Sequence, residues 1–202
     1  MSVITAGNTS YQGFLQRFYS VNRSASRTAN RSNMERSELL EADASALKKI
    51  CRNLQDLSYD KDNGQEIYQN IKVFTETYNN LIDNAGKITD PALERTMKKV
   101  KNFIKDNEEV FEELGLKVSS SRKLTLDKED LLKCTPKKIG KVFSGSNDIT
   151  STLASYATKL GRMAKPLIQD AARIRNQRAQ ESQINLPVTT STMSANKIDF
   201  MA

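Results

Sequence analysis

The chain has 202 residues, 38% of them apolar, with few aromatics, no Trp and no His. That composition excludes a thick multilayer globule, and the 27% of charged residues fits long amphipathic helices packed in pairs. The net charge of +7 is uneven, with five Arg against one Glu in residues 1–37, seven Lys or Arg against three acids in 159–202, and 19 bases against 20 acids between them. Basic ends on a neutral body suit contact with an acidic surface, or plain solvation.

Residues 1–37 are rich in Ser, Asn, Thr and Arg, too polar to offset chain entropy, so a disordered basic arm is expected there. Within it Tyr11, Phe14, Leu15, Phe18 and Tyr19 cluster at helical spacing. The cluster either folds when a partner covers it or packs back on its own body.

From Ser37 the pattern predicts a helix to about Ser58 with Leu40, Leu47, Ile50, Leu54 and Leu57 on one seam. Asp43 falls where a seven-residue repeat calls for an apolar side chain, with Ala44 beside it to cover the gap. After the turn residues 59–64, Ile67, Ile71, Phe74, Tyr78, Leu81 and Ala85 step by four and three, one face of a helix that Gly86 is expected to end in a left-handed conformation. Asp90 then reads as an N-cap with Pro91 at the first helical position. Leu93, Met97, Val100, Ile104 and Phe111 form the next seam, with polar Asn107 in it. Short connections between such helices imply antiparallel neighbours.

Glu108, Glu109, Glu112 and Glu113 crowd the end of that third helix, where the helix dipole disfavours them. Gly115 ends it, and short strands near 116–118 and 123–126 read as a β-hairpin leaning on the helices. Asp127 caps a helix with Leu131 and Leu132 expected inward, Pro136 breaks it, and Ile139, Val142 and Phe143 make a further apolar turn. A last helix runs from about Asp148 to Gln183 with Ile149, Leu153, Tyr156, Leu160, Met163, Leu167, Ala171 and Ile174 on its seam and Pro166 inside it. The expected fold class is mainly α, an elongated antiparallel helical bundle or coiled coil with a small β-hairpin. Its organisation is an arm over 1–37, a helical domain over 38–183 with the hairpin near 116–126, and a flexible tail over 184–202.

Phe74-Thr75-Glu76-Thr77-Tyr78-Asn79-Asn80-Leu81-Ile82 resembles a helix motif of the flagellar filament-capping proteins, also called hook-associated protein 2. Leu114-Gly115-Leu116, Lys123-Leu124-Thr125-Leu126-Asp127, Leu131 and Val142-Phe143 resemble the segment that follows it in that family, in the same order. The resemblance covers roughly residues 65–165 and rests on Tyr78, Asn79, Gly115, Leu124, Leu126, Asp127 and Phe143. Where the family usually carries an Asp-Gly turn before the second strand, Ser121-Arg122 stands here. The family's N-terminal coiled-coil partner and large outer domains have no counterpart in the chain. The resemblance implies a non-enzymatic structural or assembly protein, located at the bacterial flagellum or exported without a signal peptide, whose partners are itself or flagellar components.

The catalytic search is short. Without His, Ser–His and Cys–His nucleophiles are excluded. Asp127 and Asp130 read as an acid pair or metal ligands less readily than as helix capping and solvated charge. Gly140-Lys141 and Gly145 lack phosphate-loop spacing, and Cys51 and Cys134 have neither a CxxC nor a His companion, so no cofactor and no metal is expected. No classical secretory signal is legible, and no run of 18 apolar residues exists to insert in a membrane. Arg173, Arg175 and Arg178 on the last helix, with the Arg of the arm, carry the competing expectation of a cytoplasmic helical adaptor for an acidic partner or nucleic acid. A solvated basic face is the stronger reading of those arginines.

Overall fold

The structure, a computed structural model, describes residues 10–145 and 147–184, and it is mainly α with one small antiparallel sheet. The stretch expected to be a disordered arm is folded over residues 10–37. Ser10 caps helix α1, Tyr11–Gln16, by accepting from the Gly13 N–H at 3.3 Å. A 3-10 turn, Arg23–Ser26, and helix α2, Thr28–Arg31, follow. Leu15, Phe18, Tyr19 and Ala25 are buried. The composition argument fails here because Leu15, Phe18, Tyr19 and Ala25 land on one side, against a surface built by the next two helices, while Val21 stays exposed. Of the two readings of the Tyr11–Tyr19 cluster, packing on the chain's own body is the one observed. Residues 1–9 of that arm, and all of the expected tail except Ile184, lie outside the described residues.

Helices α3, Arg36–Asp56, and α4, Gly64–Ala85, are the axis of the fold. Their cross-links fix the direction. Asn84 near the end of α4 donates to the Arg36 carbonyl at 2.9 Å, while Asn53 near the end of α3 donates to Asn70 at 2.7 Å, so the pair is antiparallel. Ile67, Ile71, Phe74, Tyr78 and Leu81 are all buried, and each apolar side chain so placed contributes about 1.5–3 kcal/mol. Thr75 and Thr77, also buried in α4, return their hydroxyls to the carbonyls of Ile71 and Val73 and leave no orphan donor.

Gly86 departs from expectation. Its φ of −67° is right-handed. The helix tapers instead through bonds from the N–H groups of Lys87 and Ile88 to the carbonyls of Asn84 and Ala85, so no left-handed residue is needed. Asp90 caps helix α5, Pro91–Asp106, by accepting from Leu93 N–H at 2.7 Å, and Leu93, Met97, Val100 and Ile104 are buried. The single third helix expected through Phe111 is broken at Asn107, whose side chain donates to the Phe103 carbonyl, and Glu108–Glu112 form a separate turn, α6.

Strand β1, Leu116–Val118, pairs antiparallel with β2, Leu124–Leu126, Leu116 facing Leu126 and Val118 facing Leu124. Helix α7, Lys128–Lys133, buries Leu131 but leaves Leu132 57% exposed, against the expectation that both point inward. Thr135 and Pro136 open helix α8, Pro136–Phe143, which buries Ile139, Val142 and Phe143.

Helix α9 spans Asp148–Ile184. Residues through Ile168 belong to one compact unit and those from Gln169 onward to a second. In the first unit Phe103 and Tyr156 meet ring to ring at 6.2 Å and Thr96 donates to the Met163 sulfur, pairs that run α9 antiparallel to α5. Its buried stripe is Ile149, Leu153, Ala157, Leu160 and Ala164, with Tyr156, Met163 and Leu167 only half-buried. The expected seam is thus rotated slightly, because small Ala157 and Ala164 give the closer approach. In the second unit Arg173, Arg175 and Arg178 are exposed, Arg173 pairs with Asp170 at 3.2 Å, and Ile174 is 45% exposed.

Candidate functional site

The residues that carry the family resemblance converge on one junction, where the hairpin meets α4. Asn79 Nδ2 donates to the Leu124 carbonyl at 2.7 Å and Asn79 Oδ1 accepts the Leu124 N–H at 2.9 Å. A helix side chain therefore substitutes for a third strand at the edge of β2. From the preceding position on α4, the Tyr78 hydroxyl donates to the Arg122 carbonyl at 2.7 Å, and burial pushes that phenol above its usual range. Lys123 and Asp83 add an ion pair at 2.6 Å across the same seam.

The far end of the hairpin is closed by backbone. Gly115 has a φ of +76°, and its carbonyl accepts the Asp127 N–H at 2.8 Å. A Cβ there would lie 2.9 Å from the Asp130 Cβ and 3.0 Å from the Leu131 nitrogen, so the position needs glycine for both conformation and space. Asp127 accepts from the N–H groups of Asp130 and Glu129, which hold its carboxyl below the usual range with help from Lys117. Asp130 is paired with Lys133 at 2.7 Å. Phe143 completes the junction against Phe74 and Phe111, at ring distances of 5.4 and 6.3 Å. Leu124 is buried and Leu126 half-buried. These contacts position the hairpin against α4, while Arg122 and Asp83 also line clefts beside the junction.

A second polar constellation ties residues 10–35 to the axis. Asp43, fully buried, takes two bonds from the Arg31 guanidinium at 2.6 and 2.8 Å and one from the Tyr19 hydroxyl at 3.1 Å. Asn80 donates to the same hydroxyl from α4 at 3.0 Å. Burial raises the Asp43 carboxyl above its ordinary range, with Arg31 and Tyr19 opposing; at the Arg31 guanidinium burial lowers the value and the pairing with Asp43 outweighs it, so the net shift is upward. Outside this core Tyr11 donates to Glu76 at 2.6 Å and lies under the Lys72 ammonium, 3.9 Å from the ring centre. The network lay beyond the sequence reading, although an acid on a seam was its signal.

The seam residues Ile67, Ile71, Phe74, Tyr78, Leu81, Leu93, Met97, Val100 and Ile104 are covered within the chain itself. Arg173, Arg175 and Arg178 lie on the exposed helix of the second unit, apart from the motif residues in sequence. Cys51 is buried, which pushes its thiol up, and Cys134 is half-buried with its sulfur against the Glu113 and Asp130 carbonyls. Among the described residues no group of three or more His, Cys, Asp or Glu is placed to hold a metal ion, and no helix is long and apolar enough to cross a membrane. Compared with known proteins, the chain matches no family model, no curated protein and no solved structure.

Proposed function

We propose that the chain is a non-enzymatic structural or assembly protein of the flagellar filament-cap type, acting through coiled-coil and terminal-helix contacts with itself or with flagellar components. The observation that carries this reading is the convergence of Tyr78, Asn79, Gly115, Leu124, Asp127 and Phe143 on one junction. Residues far apart along the sequence form one mechanical unit, a hairpin bolted to a helix. A scaffold of that kind supports the reading as an assembly protein. In a flagellated strain carrying the gene, its deletion should abolish swimming and normal filaments, and complementation should restore both. Unchanged motility and filament length would remove the assignment.

A second reading, a cytoplasmic adaptor for an acidic partner or nucleic acid, is favoured by the exposure of Arg173, Arg175 and Arg178 on one short helical stretch. Binding of that kind weakens steeply with salt. Absence of any DNA or RNA shift at low salt would dispose of its nucleic-acid form.

A further inference from the structure

The hairpin loop holds a residue in the wrong conformation for its type. Ser119 to Arg122 make a turn closed by the Arg122 N–H on the Ser119 carbonyl at 2.8 Å, and Arg122 then takes a φ of +65°. That left-handed position ordinarily selects Gly or Asn. Here it directs an arginine to a cleft of about 420 Å³ that Lys98, Lys101, Ile88 and Met97 also line. Among the described residues Glu94 is the one acid on its wall. Lys98, Lys101 and Arg122 enter no ion pair among the described residues.

The complementary chemistry is on α6. Glu109 and Glu112 are exposed and enter no ion pair among the described residues, while neighbouring Glu113 is held by Lys138 at 3.0 Å. Between them Val110 is 36% exposed, an apolar side chain on an acidic turn. Glu112 also stands at the end of its helix, where the dipole disfavours a carboxylate and a cation from elsewhere is welcome. Among the described residues the two features form no ion pair with each other. Lys98 and Glu109 are separated by 11 positions, and roughly 12 Å of α5 lies between Lys98 and the end of that helix at Asp106.

We propose that the Lys98–Lys101–Arg122 cleft is a docking site for the α6 turn of a second copy of this chain, with Glu109 and Glu112 meeting the three cations and Val110 seating on Ile88 and Met97. Arg122 supplies the planar fork suited to a carboxylate, which a lysine in its place does not. The contact joins unlike surfaces, so a docked pair leaves one cleft and one turn free, and association runs head to tail into a ring or a filament. The inference deepens the assembly reading by naming a partner, and it stands or falls separately from the flagellar assignment because it concerns the purified chain alone. Contacts of this size are weak and strongly screened.

Sedimentation of the full chain over a concentration series tests it, at about 0.02 M and about 0.5 M salt. The average mass should climb with concentration at low salt and return to the monomer at high salt. Lys98→Glu with Lys101→Glu should weaken association by about a hundredfold, and Glu109→Lys with Glu112→Lys by a similar factor. Mixed together, the two variants should associate again, since the native turn of one meets the native cleft of the other and the two reversed surfaces are also of opposite charge. Arg122→Gln, which reverses no charge, should weaken association in the same direction, and circular dichroism melts show that each variant is folded. A monomer at every concentration overturns the proposal, as does association that both charge reversals leave intact or a mixture that stays monomeric. Binding of a polyglutamate probe by a chain that remains monomeric also overturns it, since the cleft then takes a foreign acidic partner.

Discussion

Asn79 grips the backbone of Leu124 from both sides, its amide nitrogen 2.7 Å from the carbonyl and its amide oxygen 2.9 Å from the N–H. Leu124 is 2% exposed, so neither backbone group can turn to water without moving the strand. A two-stranded hairpin is marginal on its own, and this side chain gives it a third neighbour.

Asn79→Ala therefore leaves a buried donor and a buried acceptor unpaired, at a cost of about 1–3 kcal/mol for each group left unsatisfied. Asn79→Asp keeps the acceptor, loses the donor and should fall between. Urea melts measure the loss, and amide exchange at Thr125 and Leu126 should quicken more than at Phe74. Equal stability of all three proteins would mean the hairpin does not depend on this grip.

The Arg31–Asp43 pair predicts a different pattern. Removing one partner strands a buried charge, so Arg31→Met should cost about 3–5 kcal/mol. Burial outweighs pairing at Asp43, as the upward direction of its carboxyl says, so replacing both partners is gentler. Arg31→Met with Asp43→Leu should recover most of the single-variant loss. A double variant as unstable as the single one would show that the pair supports packing that apolar side chains cannot replace.

Much of this fold was legible because periodicity is read directly from apolar spacing. The stepping from Ile67 to Ala85 placed α4 within a residue of its ends, and the Asp90-Pro91 pair placed the start of α5. The segment over 10–37 was hidden because its stability comes from a few residues, Tyr19 and Arg31 among them, whose partners are 12 to 61 positions away. Composition averages over such pairs. The same limit governs the motif: spacing placed Asn79 beside the seam, but only the tertiary approach of β2 made it a clamp. Glycine misled at Gly86 and informed at Gly115, since conformational freedom is used only where the neighbouring backbone closes a left-handed turn.

Gly115→Ala should be among the more damaging single-methyl changes in the chain. The added Cβ meets the Asp130 side chain at 2.9 Å and backbone at 3.0 Å, on a residue held at φ +76°. Conformational strain alone is about 1–2 kcal/mol, and the clash adds to it. Gly145→Ala, with nothing nearer than 3.9 Å, is the control and should melt close to the parent. If the two melt together, the Gly115–Asp127 closure contributes little.

Asp127 gives the pH dependence. Its folded carboxyl lies below the ordinary range because the Asp130 and Glu129 N–H groups bond its charged form. A depressed folded value means stabilisation that is fully present above the unfolded value of about 4 and is lost as pH falls through the folded one. Asn caps nearly as well without titrating. The stability gap between the parent and Asp127→Asn should close as pH drops from about 5 to about 2. A gap independent of pH would assign the cap to geometry alone.

Arg122 separates stability from association. Arginine at φ +65° is strained by roughly 1–2 kcal/mol, and glycine there loses about 0.5–1 kcal/mol of that advantage through its looser unfolded chain. The strain is the larger quantity, so Arg122→Gly should stabilise the fold by about 0.5–1 kcal/mol, while Arg122→Ala, which keeps the Cβ, should not. Both remove the guanidinium and both should weaken self-association in sedimentation. A sequence selected for stability alone would place glycine in this loop, so a more stable but poorly associating Arg122→Gly chain is the outcome expected if the arginine is there for a partner. Equal melting of the Gly and Ala variants would mean that the turn imposes no strain, and the arginine would then need no such explanation.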